Sequence, residues 1–521
     1  MRRQSLVIAL LGMLIGAGIV LCINSIPARQ KNLQTEYAGW RKLNLILQCV
    51  SENYVDTIDR AKVTDAAVEA ALKQLDPHTI YMPPQQLEAS EEDLQGNFSG
   101  IGIQFNVPND TAIVIEVIPG GPAEKIGMLS GDRLMKVDSV NIAGCNYPQD
   151  SMVRRMKGPT GTKVTVTVKR EGELIPFEIT RAQIPTHSVD AAFMVNDTTG
   201  YIRLAKFSRT TYTEFAASCV ELLALGMKEL VVDLKDNSGG YFDQALAISD
   251  LFLPKGADIV YMEGLHRKRQ EYKASGNGLL RNTSLKVLID DGSASSSEIF
   301  AGAIQDNDRG TIYGRRSFGK GLVQEPFNFT DGSGVRITVA RFYTPSGRCI
   351  QKPYAEDYAY DVYKRYADGE MTSADSMKVD KSVEYHTVGG RTVYGGGGII
   401  PDVFVPVDTT RVSKFYISCN KKATAMRFAS AYFDGHKSEL QAIDDYDALL
   451  RYLDNAGLED KFLEFARSRD ALVPGSDWAV DRQYLLTQVK ALVGRYSKLG
   501  DKAFYHIYLA IDDVFKTAMA N

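Results

Sequence analysis

The chain has 521 residues, 60 Lys and Arg against 64 Asp and Glu, a net charge near −4, and 44% apolar residues. This balance excludes disorder, a collagen-like repeat and a multi-span membrane protein as the main architecture, and it offers no basic excess that calls for nucleic acid. Six cysteines are too few for a small disulfide scaffold, and at roughly 100–200 residues per domain three or four domains are expected.

Residues 1–28 open with Arg2 and Arg3 and continue in an uncharged apolar run from Leu6 to Ile23. At about 1.5 Å per residue the run makes a helix of about 27 Å, just enough for a bilayer core of about 30 Å. It is longer than the usual apolar part of a secretory signal, and no A-x-A cleavage site follows. These features favour an uncleaved signal anchor, an N-terminal membrane helix, over a cleaved signal peptide. The basic start puts the N-terminus inside and exports the rest. Residues 29–96 read as a helical region: Leu43, Ile46, Leu47 and Val50 recur at helical spacing, as do apolar positions from Ala66 to Leu75, until Asp76-Pro77-His78-Thr79 breaks the pattern.

From 97 to 182 the pattern changes to short strands and glycine turns. Ser99-Gly100-Ile101-Gly102-Ile103 leads into a strand, Ile113–Ile118 is another, and Gly120-Gly121-Pro122-Ala123, Gly127 and Gly131-Asp132 follow. This order resembles a PDZ domain. In that resemblance Gly100, Ile101, Gly102 and Ile103 form the loop whose backbone N–H groups hold a terminal carboxylate, while the adjoining strand edge pairs with a peptide.

Residues 183–411 alternate strands and helices. Leu230–Leu234 and Leu285–Ile289 read as buried strands, Ala245–Leu253 and Glu298–Gln305 as helices, and Val403–Val405 as a last short strand, an α/β core. Residues 354–384 are polar and tyrosine-rich, an expected insertion. Residues 412–521 return to helical patterning.

Three segments can carry chemistry. The first, DDGSASSSEIFAGAIQDN, takes a strand into a helix and offers Ser293, Ser295, Ser296 and Ser297 where helix N–H groups converge. Ser295-x-x-Glu298 is also a capping box, and the local sequence leaves both readings open. The second is Arg316-Ser317-Phe318-Gly319-Lys320-Gly321-Leu322-Val323-Gln324. Glycines on both sides of Lys320 let backbone pack close and strip water from the ammonium. Desolvation lowers a lysine pKa from about 10.4, and a neutral lysine can take a proton from a serine. Gln324 is placed to orient the amine. The third, Asp233-Leu234-Lys235-Asp236-Asn237-Ser238-Gly239-Gly240, is a strand-to-glycine turn whose N–H groups suit an oxyanion, or simply a turn with ordinary glycine needs.

Rival readings fail on detail. Gly314-x4-Gly319-Lys320 nearly spells a Walker A loop, but Gly321 replaces the required Ser or Thr and a strand-like segment follows. Ser317-x-x-Lys320 has the spacing of penicillin-recognising enzymes, but glycines disfavour the helical turn and the partner motifs are absent. The six histidines are scattered, so neither a histidine triad nor a catalytic metal is expected.

Taken together, LDPHTIYM, FSGIGIQF, the PDZ-like unit, DLKDNSGG, GSASSSEIFAGAIQDN, SFGKGLVQ and GGGGIIPDV closely resemble the C-terminal processing peptidases, or tail-specific proteases, from about residue 40 to 405. The resemblance implies an α/β multidomain chain with a ClpP/crotonase-like protease core. It implies a serine endopeptidase with a Ser–Lys dyad: Ser295 as nucleophile, Lys320 as general base, Gln324 as its partner, and an oxyanion hole from the backbone N–H of Ser296 and of Gly239 or Gly240. It calls for no cofactor or metal. Its substrates are polypeptides held by their C-termini, and with the N-terminal anchor it implies an exported enzyme on the bacterial inner membrane facing the periplasm, with room for a homo-oligomer. The family usually has Ala where Ser296 stands and Arg where Lys235 stands. The helical region 412–521 lies outside the resemblance and is a candidate for dimerisation or docking. The alternative is an inactive, membrane-anchored PDZ scaffold that only binds peptides. On the dyad reading, Ser317→Ala is harmless.

Overall fold

A computed structural model describes residues 38–521, apart from 108, 109, 119, 355–357 and 411. The apolar run Leu6–Ile23, the expected membrane helix, lies outside these residues, and no helix among them is long and apolar enough to cross a membrane. The chain divides after Pro83 into two units. The first holds helices α1 (Ala38–Asn53) and α2 (Arg60–Leu72) and strand β1 (Ile80–Met82). Asp59 caps α2 by accepting from the Lys62 N–H. The Asp76 break is an Asx turn, its carboxylate accepting from the backbone N–H of His78 and Thr79 at 2.8 and 2.9 Å. Strand β1 follows directly on this break, within the stretch 29–96 that the sequence reads as a helical region.

The second unit opens with helix α3 (Pro84–Gln95). The PDZ-like part follows: β2 (Asn97–Gly100), β3 (Ile103–Asn106), β4 (Ala112–Val117), α4 (Pro122–Lys125), β5 (Arg133–Val137), β6 (Val140–Asn141), α5 (Gln149–Met156), β7 (Lys163–Arg170), β8 (Glu173–Thr180) and β9 (Ala182–Pro185). Strands β3, β4, β5, β7 and β8 pair in that order, all antiparallel, with β6 on β5, and β2 pairs separately with β9. Ile101, Ile103, Met152 and Met156 share one core, which packs α5 beside the start of β3. Strand β3 ends the sheet, so its outer edge carries no strand among the described residues.

The central sheet has the order β10 (Val189–Met194), β11 (Thr199–Leu204), β12 (Glu229–Asp233), β15 (Ser284–Ile289), β16 (Thr311–Gly314) and β21 (Val403–Phe404). All neighbours are parallel except β10 against β11. A parallel strand covered on both faces reads as a continuous apolar run, and Leu230, Val231 and Val232 of β12 are all fully buried. Period two then splits them. Leu230 and Val232 face one core with Val287 and Ile289, whereas Val231 faces the other with Leu288 and Tyr201.

Helices α6 (Thr211–Ala224), α7 (Phe242–Asp250) and α8 (Ser296–Asp306) cover the first face through Phe215, Ile248 and Phe300. A second antiparallel sheet, of β13 (Asp258–Gly264), β14 (Arg267–Lys273), β17 (Leu322–Asn328) and β18 (Gly334–Tyr343), flanks this side. The expected insertion carries α9 (Asp361–Ala367) and precedes a hairpin of β19 (Tyr385–His386) and β20 (Thr392–Val393).

The opposite face of the central sheet is covered by the end of the helical region. That region comprises α10 (Lys414–Lys421), α11 (Thr424–Ala442), α12 (Tyr446–Asn455), α13 (Leu458–Asp470), α14 (Trp478–Arg495), α15 (Gly500–Tyr508) and α16 (Asp513–Ala520). Helices α10 to α15 form a core of their own, built on Phe415, Phe428, Leu449, Phe462, Val489 and Ile507. Leu509, Val514, Phe515 and Ala518 then pack on Val231, Leu288 and Tyr313. The region that lies outside the family resemblance therefore supplies a layer of the α/β core. It also meets the PDZ-like part, where Ile115 packs on the helical core and Arg133 pairs with Asp434.

Phe515 is 6% exposed, whereas Leu265 at a hairpin tip is 94% exposed. Phe515→Ala is expected to lower stability by about 3–5 kcal/mol in denaturant unfolding, and Leu265→Ala by less than about 0.5 kcal/mol. Equal effects would show that α16 is not part of the core.

Candidate active site

Three backbone segments meet at the carboxyl end of the central sheet. The first is the turn after β12. Its Asp233 is buried and accepts from Arg203 at 2.9 Å and from the Tyr201 hydroxyl at 2.7 Å. Lys235 pairs with Asp512, which also caps α16 through the Phe515 N–H. Lys235 stands where the family pattern has Arg, and it lies between two side-chain carboxylates, that of Asp512 and, at 3.6 Å, that of Asp233. Asn237 joins the turn to its neighbours. Its Nδ2 donates to the Leu204 carbonyl at 2.7 Å, and its own carbonyl accepts from the Ala294 N–H at 2.9 Å and the Ser297 hydroxyl at 2.8 Å.

Only glycine fits at 239 and 240. A Cβ on Gly239 would lie 2.8 Å from Ser295 Cβ and 2.9 Å from the Ser296 nitrogen, and one on Gly240 would lie 2.1 Å from the Phe207 oxygen. Both have positive φ, 97° and 146°. The two glycines differ as donors, since the Gly239 N–H is engaged by Asn237 Oδ1 at 2.9 Å.

The second segment is the elbow from β15 into α8, and it sorts the four candidate serines. Ser293 Oγ donates to the Leu234 carbonyl, Ser296 Oγ to the Gly240 carbonyl and Ser297 Oγ to the Asn237 carbonyl, at 2.8, 2.9 and 2.8 Å. These three hydroxyls peg the elbow to the β12 turn. Ser295 has φ +55° and ψ −112°, a conformation that non-glycine residues rarely adopt and that surrounding packing must impose. Its side chain lines a cavity of about 770 Å³. Asp290 at the root of the elbow accepts from the N–H of Asp236 and of Gly292 at 2.8 and 3.0 Å. Burial and the nearby Asp236 push its pKa up to about 6.

The third segment is the loop 315–321. Sequence reading sees Glu298 as a helix cap, and the Ser295 N–H does donate to its Oε2 at 2.8 Å. The structure gives it much more. The fully buried carboxylate also accepts from the N–H of Lys320 at 2.9 Å, the N–H of Gly319 at 2.7 Å and the Ser317 hydroxyl at 2.5 Å. Burial, the largest influence, raises the Glu298 pKa, and these four donors pull the other way. Ser317 is buried and its oxygen also accepts from the Ile399 N–H at 2.6 Å, so it works as a strut. It is accordingly not the neutral position that the dyad reading makes it. Behind the loop, Arg365 of α9 donates to the carbonyls of Ser317 and Arg316 and shares Glu370 with Arg316.

Lys320, Gln324, Ser296, Gly239 and Gly240 line the same cavity as Ser295. Gln324 of β17 lies opposite Thr338 of β18, beside an irregularity at which Val339 of β18 is the extra residue. Leu87 and Leu94 of α3, Phe207, Phe242, Ile299 and Leu322 make the cavity's apolar wall. The residues Gly100–Ile103 lie apart from this cavity, in the PDZ-like part. Gly100 ends β2 and Gly102 has φ +81°. The Ile101 carbonyl accepts from the Ala123 N–H and the Gly102 carbonyl from the Ile118 N–H, at 2.9 and 3.0 Å, which fixes the loop at the head of β3.

This chain is similar to known proteins along most of its length. The model of peptidase family S41 matches residues 198–360, and that of the PDZ domain matches residues 99–180. A carboxy-terminal-processing protease of Bartonella bacilliformis is 34% identical over 370 residues, covering 67% of this chain and 84% of that protein. A probable CtpA-like serine protease of Staphylococcus aureus is 29% identical over 399 residues, 75% of this chain and 79% of that protein. Among solved structures, a photosystem II D1 C-terminal processing protease is 27% identical and covers 71% of this chain and 88% of that one, with a TM-score of 0.38.

Two predictions follow from the buried carboxyls. Glu298→Gln sets an amide donor among N–H donors, and is expected to speed amide exchange at Gly319 and Lys320 by about tenfold or more. Unchanged exchange would show that the carboxylate does not hold the loop. The fold binds the Asp290 proton more tightly than the unfolded chain does, about 6 against 3.8. Its contribution to stability therefore falls as pH rises through that window, and the cost is complete above about pH 6. Asp290→Asn is expected to flatten the pH dependence of unfolding there; an unaltered slope would place its source elsewhere.

Proposed function

This chain belongs to peptidase family S41 as a C-terminal processing serine protease with a PDZ domain, and from that premise we propose how its site works. Ser295 is the nucleophile. Lys320 in its neutral form takes the hydroxyl proton as Ser295 attacks a peptide carbonyl, and returns it to the departing amine. Water then hydrolyses the acyl-enzyme, with Lys320 again accepting the proton. Gln324 orients the amine. The N–H groups of Ser296 and Gly240 receive the oxyanion, Gly240 rather than Gly239 because Asn237 already engages the latter. Ser296 in place of the family's Ala is compatible with this role, since only its backbone donates and its hydroxyl is turned to the Gly240 carbonyl.

The observation that carries this reading is the strained Ser295 in one cavity with Lys320, both tied by backbone N–H to the Glu298 carboxylate. The PDZ loop Gly100–Ile103 captures the carboxylate end of the polypeptide, and the free edge of β3 pairs with the residues before it. The substrates are exported proteins, reached from an anchor in the apolar N-terminal run at the bacterial inner membrane. The inactive-scaffold alternative has no support in the family match.

Ser295→Ala and Lys320→Ala are each expected to abolish cleavage of a peptide with a free apolar C-terminus. Wild-type activity should rise with pH as the lysine deprotonates. Full activity in either variant, or a profile flat between about pH 6 and pH 10, would refute the dyad. In cells, loss of Ser295 should alter the C-termini of exported proteins; changes confined to cytoplasmic proteins would overturn the assigned compartment.

A further inference from the structure

The cavity that holds Ser295 is also lined by an arginine that has no ion-pair partner among the described residues. Arg336 lines it from β18, opposite Pro326 of β17. One terminal nitrogen of Arg336 donates to the Ser90 hydroxyl of α3 at 2.7 Å. Among the described residues no carboxylate lies within ion-pair distance, and burial alone depresses its pKa. Arg336 is half-buried, and the buried arginines of the core are provided for. Arg203 has Asp233, Arg348 has Asp306, and Arg365 has Glu370. Arg309 has no carboxylate either, but fills its fork with the carbonyls of Phe252, Leu280 and Thr283. Two carboxylates are also on the cavity wall, but Glu91 accepts from Asn328 Nδ2 at 3.1 Å and Asp243 lies 3.7 Å from Arg209.

A guanidinium carries five donors in a planar fork that matches a carboxylate, and one neutral hydroxyl leaves most of that fork unused. Leu87, Leu94 and Leu322 on the cavity wall withdraw part of the solvent from around it, which strengthens its attraction for an anion relative to a fully exposed arginine. Its position sets a register. From Leu322, beside Lys320, to Pro326 the strand β17 advances about 13 Å, the length of about four extended residues.

Resting on the dyad reading, we propose that Arg336 binds a carboxylate of the substrate polypeptide about four residues from the bond presented to Ser295. The carboxylate is either the chain end itself or an Asp or Glu side chain at that position. The site thus selects acidic groups within the cleft, separately from the PDZ loop.

The test uses the full chain and three peptides that differ only at the C-terminal end. The first ends in a free carboxylate about four residues beyond the scissile bond, the second is its C-terminal amide, and the third is the amide with Glu as last residue. The wild-type kcat/KM is expected to favour the acid over the amide by about ten- to a hundredfold. Arg336→Met should collapse that ratio to about twofold or less, and Arg336→Lys should keep part of it. Should Arg336→Met fail to fold, Arg336→Gln, which can keep the Ser90 hydrogen bond, takes its place. The Glu peptide matches the acid if any carboxylate suffices, and matches the amide if the chain end is required. A wild-type ratio near one, or a ratio that survives loss of Arg336, overturns the inference. A Ser295→Ala chain that still cleaves would instead remove the dyad reading, whereas an inactive one beside an Arg336-independent ratio removes only this inference.

Discussion

The geometry of the site depends on one carboxylate. Glu298 receives four donors on two oxygens, so all its acceptor positions are filled by groups that fix backbone. One donor belongs to the residue proposed as nucleophile and another to the proposed base. Two segments from different parts of the chain thereby share an origin, and the distance between them is set by a rigid group, not by the flexible lysine side chain. Burial makes this arrangement demanding, because a carboxylate stays charged in a dry interior only when its hydrogen bonds are complete.

Around that anchor the serines divide their labour. Ser293, Ser296 and Ser297 use their hydroxyls to join the elbow to the β12 turn, and Asn237 and Asp290 complete the join from the other side. The positive φ of Ser295 is the conformation left to a residue whose neighbours are all pinned. The glycines at 239 and 240 matter for a related reason: a methyl group on the first would collide with the elbow, and one on the second with the Phe207 backbone.

Much of this was legible in the sequence, for identifiable reasons. Buried parallel strands announce themselves as apolar runs, so Leu230–Leu234 and Leu285–Ile289 were readable, as were the glycine turns that end them. The family blocks pointed to Ser295 and Lys320. Local sequence could not separate Ser295 from its three neighbours, because that separation is made by carbonyls some sixty positions upstream. It read Glu298 as a helix cap, which is one of its four hydrogen bonds. It gave no hint that residues 509–518 cover the second face of the sheet, since an amphipathic helix shows that it has a buried side but not what lies against it. Ser317 was hidden similarly: its partners Glu298 and Ile399 are distant in sequence.

The link between Lys235 and Asp512 spans 277 positions. Contacts of such long sequence separation form late, because the intervening chain must first be ordered. A ribosome that has made the elbow, the lysine loop and both sheets has still not released the carboxylate that steadies the β12 turn. Lys235 therefore meets this carboxylate only after nearly the whole chain has been made, so the β12 turn gains its last tie together with the helices that cover the second face of the sheet.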